Sequence, residues 1–197
     1  IICIPTYNES ENIPALLARI FSLYPDISVV VVDDDSPDGT TALATSLKTR
    51  YPNLHVLNRA GKIKGFANSY KDGFAFALEL GFEWILQMDA DFSHDPSALL
   101  DMASLLQVND VVLGSRYVKG GSVDERWPLW RRSLSSFGNY YARTILELPL
   151  HDVTTGYRMW RRETLQQIPF ERIQSNGYVF LVEMAYLAHC LEFKIGE

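Results

Sequence analysis

Cysteine is scarce in this sequence, and several familiar targeting signals are missing from it. The 197 residues include only Cys3 and Cys190, which are too few and too far apart for a disulfide framework or a cysteine metal site. No apolar run approaches the roughly 18 residues that a membrane-spanning helix needs. No signal peptide precedes the first strand-like run. We therefore expect a cytoplasmic protein.

The two commonest nucleotide-binding fingerprints are absent as well. No GxGxxG follows the first strand-like run, no P-loop occurs, and no internal repeat or low-complexity tract interrupts the chain. Hydrophobic residues make up 47% and charged residues 21%, which is typical of an ordinary globular protein. These features predict one domain over residues 1–197. The missing initiator Met and the abrupt end indicate that this domain is trimmed at both ends.

Acidic residues outnumber basic ones, giving a formal net charge of -6 and a pI near 5.2. A general nucleic-acid-binding protein normally presents a basic face, so we expect no nucleic-acid partner. The segment from Arg116 to Arg143 is an exception, with six basic and two acidic residues. This basic island favours binding of one anionic ligand; the alternative is a solvated charged surface.

Strand-like and helix-like segments alternate along the chain. Apolar or β-branched runs predict strands at residues 1–5, 27–32, 54–57, 84–88 and 110–114. Helical spacing predicts helices near residues 13–20, 40–51, 66–80 and 95–106. Asn8 with Glu11 is interpreted as the start of the first helix, and Gly81 as the stop after the third. The alternation predicts an α/β fold, with a mostly parallel central sheet and helices on both faces.

The sequence QMDAD, at residues 87–91, closes the fourth predicted strand. Alternate residues of a strand point to the same face, so Asp89 and Asp91 are expected to converge on one site. Two neighbouring carboxylates repel each other unless a cation lies between them, and Mg²⁺ or Mn²⁺ suits oxygen ligands shared with phosphates. The alternative is a loop that caps the next helix, because polar residues follow at 93–95.

Polar residues also follow the first two predicted strands. Asp33, Asp34 and Asp35 end the second strand, and three adjacent carboxylates are costly unless water or hydrogen-bond donors engage them. A turn that caps the following helix explains part of this cluster. PTYNE, at residues 5–9, ends the first strand. Three strand ends thus bring polar side chains to the carboxyl edge of the sheet, where ligands bind in such folds.

Ordered sequence blocks resemble one enzyme family. They are IPTYNESEN, VVDDDSPDGT, QMDADFSHDP, GSRYVKGGSV, WPLWRR with DVTTGYR, and SNGYVF. From Ile1 to about Glu197 the chain is similar to the polyprenyl-phosphate mannose synthases, which are inverting family 2 glycosyltransferases. The resemblance implies the GT-A fold for nearly the whole chain.

The resemblance also implies which residues hold the nucleotide. Pro5, Tyr7 and Glu9 match positions that contact the base and ribose. Val32 and Asp34 match a second part of that pocket, with Asp34 as the contact to the base.

A second group of matching positions concerns the diphosphate and the acceptor. Asp89 and Asp91 match the residues that bind the metal and the diphosphate, with Ala90 packed beside them. Arg116 and Arg131 match basic residues near the diphosphate and the acceptor phosphate. All four charged residues are therefore predicted to take part in catalysis.

The implied reaction moves mannose from GDP-mannose to a polyprenyl monophosphate, such as a dolichyl or undecaprenyl phosphate, with Mg²⁺ or Mn²⁺ as cofactor. A phosphate monoester has a second pKa of about 6 and is already anionic near neutral pH. We therefore expect no dedicated catalytic base. Attack opposite the leaving group would invert the anomeric centre.

The lipid acceptor requires access to a membrane. Aromatic and basic residues alternate between residues 127 and 143, namely Trp127, Trp130, Arg131, Arg132, Phe137, Tyr140, Tyr141 and Arg143. This mixture suits a surface of anionic headgroups, so we expect peripheral contact at the cytoplasmic face of a membrane. The alternative is a core helix, because Leu134, Ile145 and Leu146 fit a buried stripe.

Three other functions are alternatives to a mannose synthase. A sister transferase would use a UDP-sugar, such as UDP-glucose, with the same kind of acceptor. A haloacid-dehalogenase-like phosphatase would explain residues 86–93, which loosely match hhhDxDx[ST]. A non-catalytic relative would only bind nucleotide or lipid. Asp152, Glu183 and His94 are weaker site candidates, with structural roles expected for Glu183 and His94.

Overall fold

Short apolar runs form a central sheet of seven strands within the described part of the chain. The computed structural model describes residues 1–118, 121 and 129–197, with the backbone alone for 129–135. The strands are β1 (Ile2–Thr6), β2 (Val29–Asp33), β3 (Leu54–Asn58), β4 (Trp84–Gln87), β5 (Val111–Leu113), β6 (Arg158–Arg161) and β7 (Ile195–Gly196). Their order across the sheet is β3-β2-β1-β4-β6-β5-β7.

Helices cover both faces of this sheet, as the sequence predicts. They are α1 (Ile13–Leu23), α2 (Thr40–Leu47), α3 (Phe66–Glu79), α4 (Leu99–Leu106), α5 (Leu129–Ile145), α6 (Arg162–Gln167) and α7 (Tyr178–Cys190), with a 3₁₀ turn at Pro96–Ala98. Apolar residues of α3, α6 and α7 pack against one face of the sheet. Apolar residues of α1, α2 and α4 pack against the other face.

Strand β2 is buried along its whole length because it lies inside the sheet between two helical layers. Alternate side chains point to opposite faces. Val29 and Val31 therefore join the core beside α1, whereas Val30 and Val32 join the core beside α3. A continuous β-branched run is the sequence typical of such a strand.

The connections place a crevice beside β1. Strand β1 pairs in parallel with β2 on one side and with β4 on the other. The chain leaves β1 towards β2 and β3, and then returns across the sheet to β4. In parallel sheets this reversal opens a binding crevice at the carboxyl ends of the strands.

Strand β6 lies antiparallel between β4 and β5, and Arg158 is opposite both Gln87 and Leu113. Because β6 runs in the opposite direction, the loop that precedes it meets the carboxyl ends of β4 and β5. Residues 152–157 and 114–116 therefore lie at the same edge of the sheet as the crevice.

Two predicted helix boundaries are wrong. Asn8 does not start α1, which begins at Ile13; Asn8 has a positive φ of 61°, and its backbone N–H donates to Ser36 Oγ at 3.0 Å. Helix α2 ends at Leu47 instead of continuing to Tyr51, whose ring stacks on Phe21 with centroids 4.4 Å apart.

None of the helices in the described part of the chain combines the length and the apolar character that crossing a membrane requires.

Candidate active site

A cleft of about 280 Å³ opens at the crevice beside β1. Its walls come from the loops after β1, β2 and β4 and from the first turns of α3. The described residues that line it are Pro5, Thr6, Tyr7, Glu9, Asp34, Phe66, Ser69, Asp89, Ala90 and Asp91.

Seven residues predicted to bind the donor line this cleft together. They are Pro5, Tyr7, Glu9, Asp34, Asp89, Ala90 and Asp91. Thr6, Phe66 and Ser69 also line the cleft but were not predicted from the sequence. Phe66 and Ser69 are three residues apart at the start of α3, a spacing that places them on one face of a helix. This helical spacing is the sequence feature that could have indicated that Phe66 and Ser69 face the same site.

Asp33, the first carboxylate of the acidic cluster, is structural. It is fully buried, and it accepts hydrogen bonds from Thr6 Oγ1 at 2.8 Å and from Ser36 N at 2.9 Å. The hydroxyls of Ser36 and Thr41 also donate to it. These hydrogen bonds offset the free-energy cost of burying the Asp33 carboxylate, and they join the loop after β2 to β1 and α2.

Asp34, the second carboxylate, lines the cleft while a buried arginine supports it from behind. Arg59 forms an ion pair with Asp34, and only 3% of the Arg59 side chain is exposed. The backbone N–H of Gly65 donates to Asp34 Oδ2 at 2.6 Å. Asp35, by contrast, is about half exposed and lies 3.8 Å from Lys64 Nζ. Each of the three adjacent carboxylates thus has its own hydrogen-bond or ion-pair partners, which reduces the repulsion among them.

Asp89 and Asp91 reach the cleft from a loop and not from a strand. Strand β4 ends at Gln87, so the expected alternation of a strand does not apply to them. Backbone turns bring them to the cleft instead. Phe92 has a positive φ of 61°, and the backbone N–H of Ser93 donates to Asp91 Oδ1 at 3.0 Å.

The cleft carries strong negative charge. Burial raises the pKa of Glu9, although a hydrogen bond from Asn12 opposes the shift, and the carboxylates of Asp91, Asp38 and Asp89 raise it further. Four carboxylates line the cleft, and no lysine or arginine stands among its described lining residues. The described lining residues therefore give this cleft a negative charge, which would attract a cation.

Val32 is not among the described residues that line the cleft, so its place in the nucleotide pocket stays a prediction. Alternation along β2 turns its side chain towards α3, where it is 1% exposed. It packs beneath Gly73 so closely that a Cβ there would lie 3.0 Å from Val32 Cγ2.

Arg116 lies at the same edge of the sheet but is not among the described lining residues of the cleft. Its Nε and Nη2 donate to Asp152 Oδ2 and Oδ1 at 2.7 and 2.9 Å. Burial opposes the charge on both groups, yet this bidentate pair lowers the pKa of Asp152 and raises the pKa of Arg116. Arg131 falls outside the residues whose side chains the structure describes. The roles given to Arg116 and Arg131 stay predictions.

The weaker candidates occupy structural positions. His94 accepts a hydrogen bond on Nδ1 from the backbone N–H of Asp89 at 3.0 Å, and burial lowers its pKa. Glu183 accepts a hydrogen bond from Ser175 Oγ and is not among the described lining residues. The structural role expected for each residue agrees with these contacts.

A crevice at the topological switch of a mostly parallel sheet, lined by loops that follow the strands, is where enzymes of this architecture bind their ligands. The family model for glycosyl transferase family 2 matches residues 1–168, so the chain belongs to that family and is a glycosyltransferase. This membership leaves no support for the haloacid-dehalogenase alternative.

Curated relatives indicate which members of family 2 the chain is similar to. The chain is 40% identical over 199 residues to polyprenol monophosphomannose synthase of Mycolicibacterium smegmatis, covering 100% of this chain and 74% of that one. It is 42% identical over 194 residues to undecaprenyl-phosphate mannosyltransferase of Micrococcus luteus, covering 98% and 79%. A Pyrococcus furiosus dolichol-phosphate mannosyltransferase is 34% identical over 188 residues, covering 93% and 51%. The resemblance to the polyprenyl-phosphate mannose synthases is confirmed.

Solved structures confirm the GT-A fold. Glucosyl-3-phosphoglycerate synthase from Mycobacterium tuberculosis, in complex with Mn²⁺, UDP and glucosyl-3-phosphoglycerate, superposes with a TM-score of 0.67 at 18% identity. That match covers 99% of this chain and 67% of the other. S. aureus TarS gives a TM-score of 0.65 at 22% identity, covering 98% and 56%. At these identities the likeness concerns the fold alone.

Gly156 leaves room for the carboxylate of Asp89. A Cβ at position 156 would lie 2.9 Å from Asp89 Oδ2 and 3.3 Å from His94 Cε1. We expect Gly156→Ala to displace that carboxylate and, because Asp89 is a predicted metal ligand, to lower glycosyl transfer by about 10-fold or more. Initial rates at saturating donor measure the effect.

Gly138→Ala is the matched control for this prediction. It adds the same methyl group within α5, where, among the described residues and apart from the chain neighbours and the nearby backbone of the helix itself, no atom lies within 4 Å of the new Cβ. It should keep wild-type activity and raise the free energy of unfolding by about 0.4–1 kcal/mol. Wild-type activity in Gly156→Ala would show that the carboxylate position is not critical.

Proposed function

We propose that this chain transfers mannose from GDP-mannose to a polyprenyl monophosphate, with inversion at the anomeric carbon. The names of the curated relatives support the mannose and the polyprenyl phosphate acceptor. The acidic cleft supports a sugar nucleotide bound through a cation. We further propose that the cation is Mg²⁺ or Mn²⁺ held by Asp89 and Asp91.

The charge of the cleft is the single observation that carries this proposal. One cleft of about 280 Å³ is lined by four carboxylates, those of Glu9, Asp34, Asp89 and Asp91. A diphosphate brought into this space would meet like charges at close range, which costs several kcal/mol in a partly dry site (on the order of 4 kcal/mol per pair at 4 Å). A divalent cation between the carboxylates and the phosphates would reverse the sign of this interaction.

The donor atoms present fit such a cation. Among the described residues no group of three or more His, Cys, Asp or Glu is arranged to hold a metal by itself. This agrees with Mg²⁺ and Mn²⁺ sites in nucleotide enzymes, which use one or two carboxylates and complete their shell with phosphates and water. When bound, the ion would neutralise charge developing on the departing diphosphate.

The other half of the cleft is suited to the nucleoside. Tyr7 is half exposed, so its ring offers a face for stacking, and Lys64 Nζ lies 5.1 Å from the centroid of that ring. Asp34 is fixed by Arg59 and Gly65, so its carboxylate is an oriented acceptor for N–H groups of a base. These residues would hold and orient the donor without taking part in bond breaking.

The acceptor is proposed to supply its own nucleophile. A phosphate monoester near neutral pH is already anionic, so no residue must remove a proton from it. Arg116, oriented by Asp152, is proposed to attract this phosphate to the edge of the sheet. Positioning and electrostatic stabilisation would then provide most of the rate enhancement.

A surface on α5 is proposed to contact the membrane that holds the lipid. Phe137, Tyr140, Tyr141 and Ile145 are each about 60% exposed, and Phe137 stacks on Tyr141. Ile145 is exposed, whereas Leu146 of the predicted buried stripe packs against the core, and the side chain of Leu134 is not among those described. Trp127, Trp130 and the basic residues at 131 and 132 lie outside the described side chains.

Donor competition tests the proposal. The protein is incubated with a short polyprenyl phosphate, Mg²⁺ and one of three labelled donors, namely GDP-mannose, GDP-glucose or UDP-glucose. We expect labelled lipid from GDP-mannose, because the relatives are mannose synthases. Label in the lipid only from UDP-glucose would reject the donor and favour the sister transferase that uses a UDP-sugar.

A further inference from the structure

Asp89 is held at two points by residues outside the cleft lining. The phenol of Tyr70, which is fully buried on α3, donates to Asp89 Oδ1 at 2.7 Å. The backbone N–H of Asp89 donates to His94 Nδ1 at 3.0 Å. The side chain and the main chain of Asp89 are thus fixed separately.

The second carboxylate oxygen of Asp89 has a different environment. Among the described residues no hydrogen bond to this oxygen is seen, and His94 Nε2 lies 3.9 Å away, beyond hydrogen-bond distance. Gly156, lacking a side chain, leaves space beside it. The Asp89 side chain is 29% exposed and lines the cleft. Among the described contacts, Oδ2 is therefore the oxygen left to face a ligand.

His94 is placed beside the carboxylate without being able to bind a metal. Because Nδ1 accepts a backbone N–H, the proton of the neutral ring must be on Nε2, and neither nitrogen keeps a lone pair for an ion. The ring stacks on Tyr157 with centroids 4.9 Å apart and planes 10° apart. Tyr157 in turn donates to the carbonyl of Asp95 at 2.9 Å. This stack fixes the ring of His94.

We propose that Tyr70 and His94 are positioning residues that orient Asp89 so that it offers Oδ2 alone to the divalent ion. The proposal rests on the metal role given above to Asp89. With one oxygen occupied by the phenol, Asp89 is a monodentate ligand whose rotation is blocked. Metal affinity and donor affinity then depend on two residues that touch neither the metal nor the donor.

Tyr70→Phe tests the first contact, with Tyr24→Phe as its matched control. The Tyr24 hydroxyl donates to the carbonyl of Pro96 at 3.1 Å and makes no hydrogen bond to Asp89. GDP affinity is measured by titration calorimetry, once with Mn²⁺ and once with a chelator. We expect Tyr70→Phe to weaken GDP binding by about 10-fold in Mn²⁺ and to leave binding in chelator unchanged. Tyr24→Phe should leave both affinities unchanged.

The outcomes separate the possible failures. Equal losses of GDP affinity with and without Mn²⁺, or an affinity in Mn²⁺ within about twofold of wild type, would overturn the role of Tyr70. A wild-type protein whose GDP affinity ignores Mn²⁺ would remove the metal from the proposed function itself. Failure of the Tyr70 prediction is compatible with the proposed metal site, whereas Mn²⁺-independent GDP binding by the wild-type protein is not.

Two substitutions of His94 test the second contact. In His94→Asn the amide oxygen lies near the position of Nδ1 and can still accept from the Asp89 N–H. In His94→Gln the amide reaches the position of Nε2 and leaves that N–H without its partner. We expect His94→Asn to retain most of the Mn²⁺-dependent GDP affinity and His94→Gln to lose about 10-fold. The reverse order would reject positioning through Nδ1.

Discussion

Asp91→Asn is expected to lower mannosyl transfer by more than about 100-fold, because Asp91 is proposed to bind the metal directly, and loss of residues that only support a metal ligand already costs about 10–100-fold. The substitution replaces a carboxylate by a neutral amide at the wall of the cleft. The fold should be preserved, since the one hydrogen bond recorded for this side chain, from Ser93 N at 3.0 Å, can be accepted by the asparagine oxygen. Labelled lipid formed from GDP-mannose measures the loss.

Asp95→Asn is the control for this prediction, because it makes the same chemical change four residues further along the same loop. Asp95 is exposed, accepts from Ser97 N at 3.0 Å and pairs with Arg19 on the surface. Its variant should keep wild-type activity. If Asp91→Asn keeps more than about one third of wild-type activity, the carboxylate is not needed and the metal assignment fails.

Arg59→Met is expected to lower the free energy of unfolding by about 3–5 kcal/mol, more than any other substitution proposed for this protein. Arg59 is buried between Asp34 and Asp72, and it donates further bonds to Ser69 Oγ at 3.2 Å and to the carbonyl of Ile63 at 2.8 Å. Removing the guanidinium leaves the buried Asp34 carboxylate without its cation. Urea unfolding followed by circular dichroism gives the free energies.

Arg19→Met provides the comparison for that measurement. Arg19 forms an ion pair with Asp95 at 2.9 Å, but both side chains are more than half exposed. Water screens such a pair, so its loss should cost about 0–1 kcal/mol. If Arg59→Met destabilises the protein no more than Arg19→Met does, the ion pair behind the cleft does not support Asp34.

Much of the crevice was predictable because its parts lie directly after apolar runs. Strands β1, β2 and β4 were predicted to within two residues, since short β-branched or apolar runs mark buried parallel strands. Parallel strands bring their carboxyl ends to one edge, so the motifs after them had to meet. This is why residues distant in sequence, such as Tyr7 and Asp89, were correctly expected in one cleft.

Strand β6 could not be predicted in the same way. Its sequence RMWR shows no long apolar run, and Arg158 is nonetheless fully buried. The guanidinium donates to the carbonyls of Thr155 and Val153, each at 2.9 Å, and burial lowers its pKa to about 10. A buried arginine becomes tolerable only when the surrounding loop is folded, and no local pattern reports that.

Contacts between distant segments account for the other differences. Asn8 and Glu11 have the composition of a helix start, but the N–H groups of residues 8–10 bond to side chains of residues 36–40 instead. The pairing of Arg116 with Asp152 joins segments 36 residues apart. The predicted phosphate contact of Arg116 took no account of this partner, because spacing alone cannot reveal it.

A crystal structure of the protein soaked with GDP and Mn²⁺ would test the central proposal most directly, with the anomalous signal of manganese locating the ion. We predict one manganese bound by Asp89 Oδ2 and by Asp91, with the diphosphate on its far side and the base near Tyr7 and Asp34. A diphosphate held in the cleft by protein side chains alone, or manganese bound elsewhere, would contradict the account.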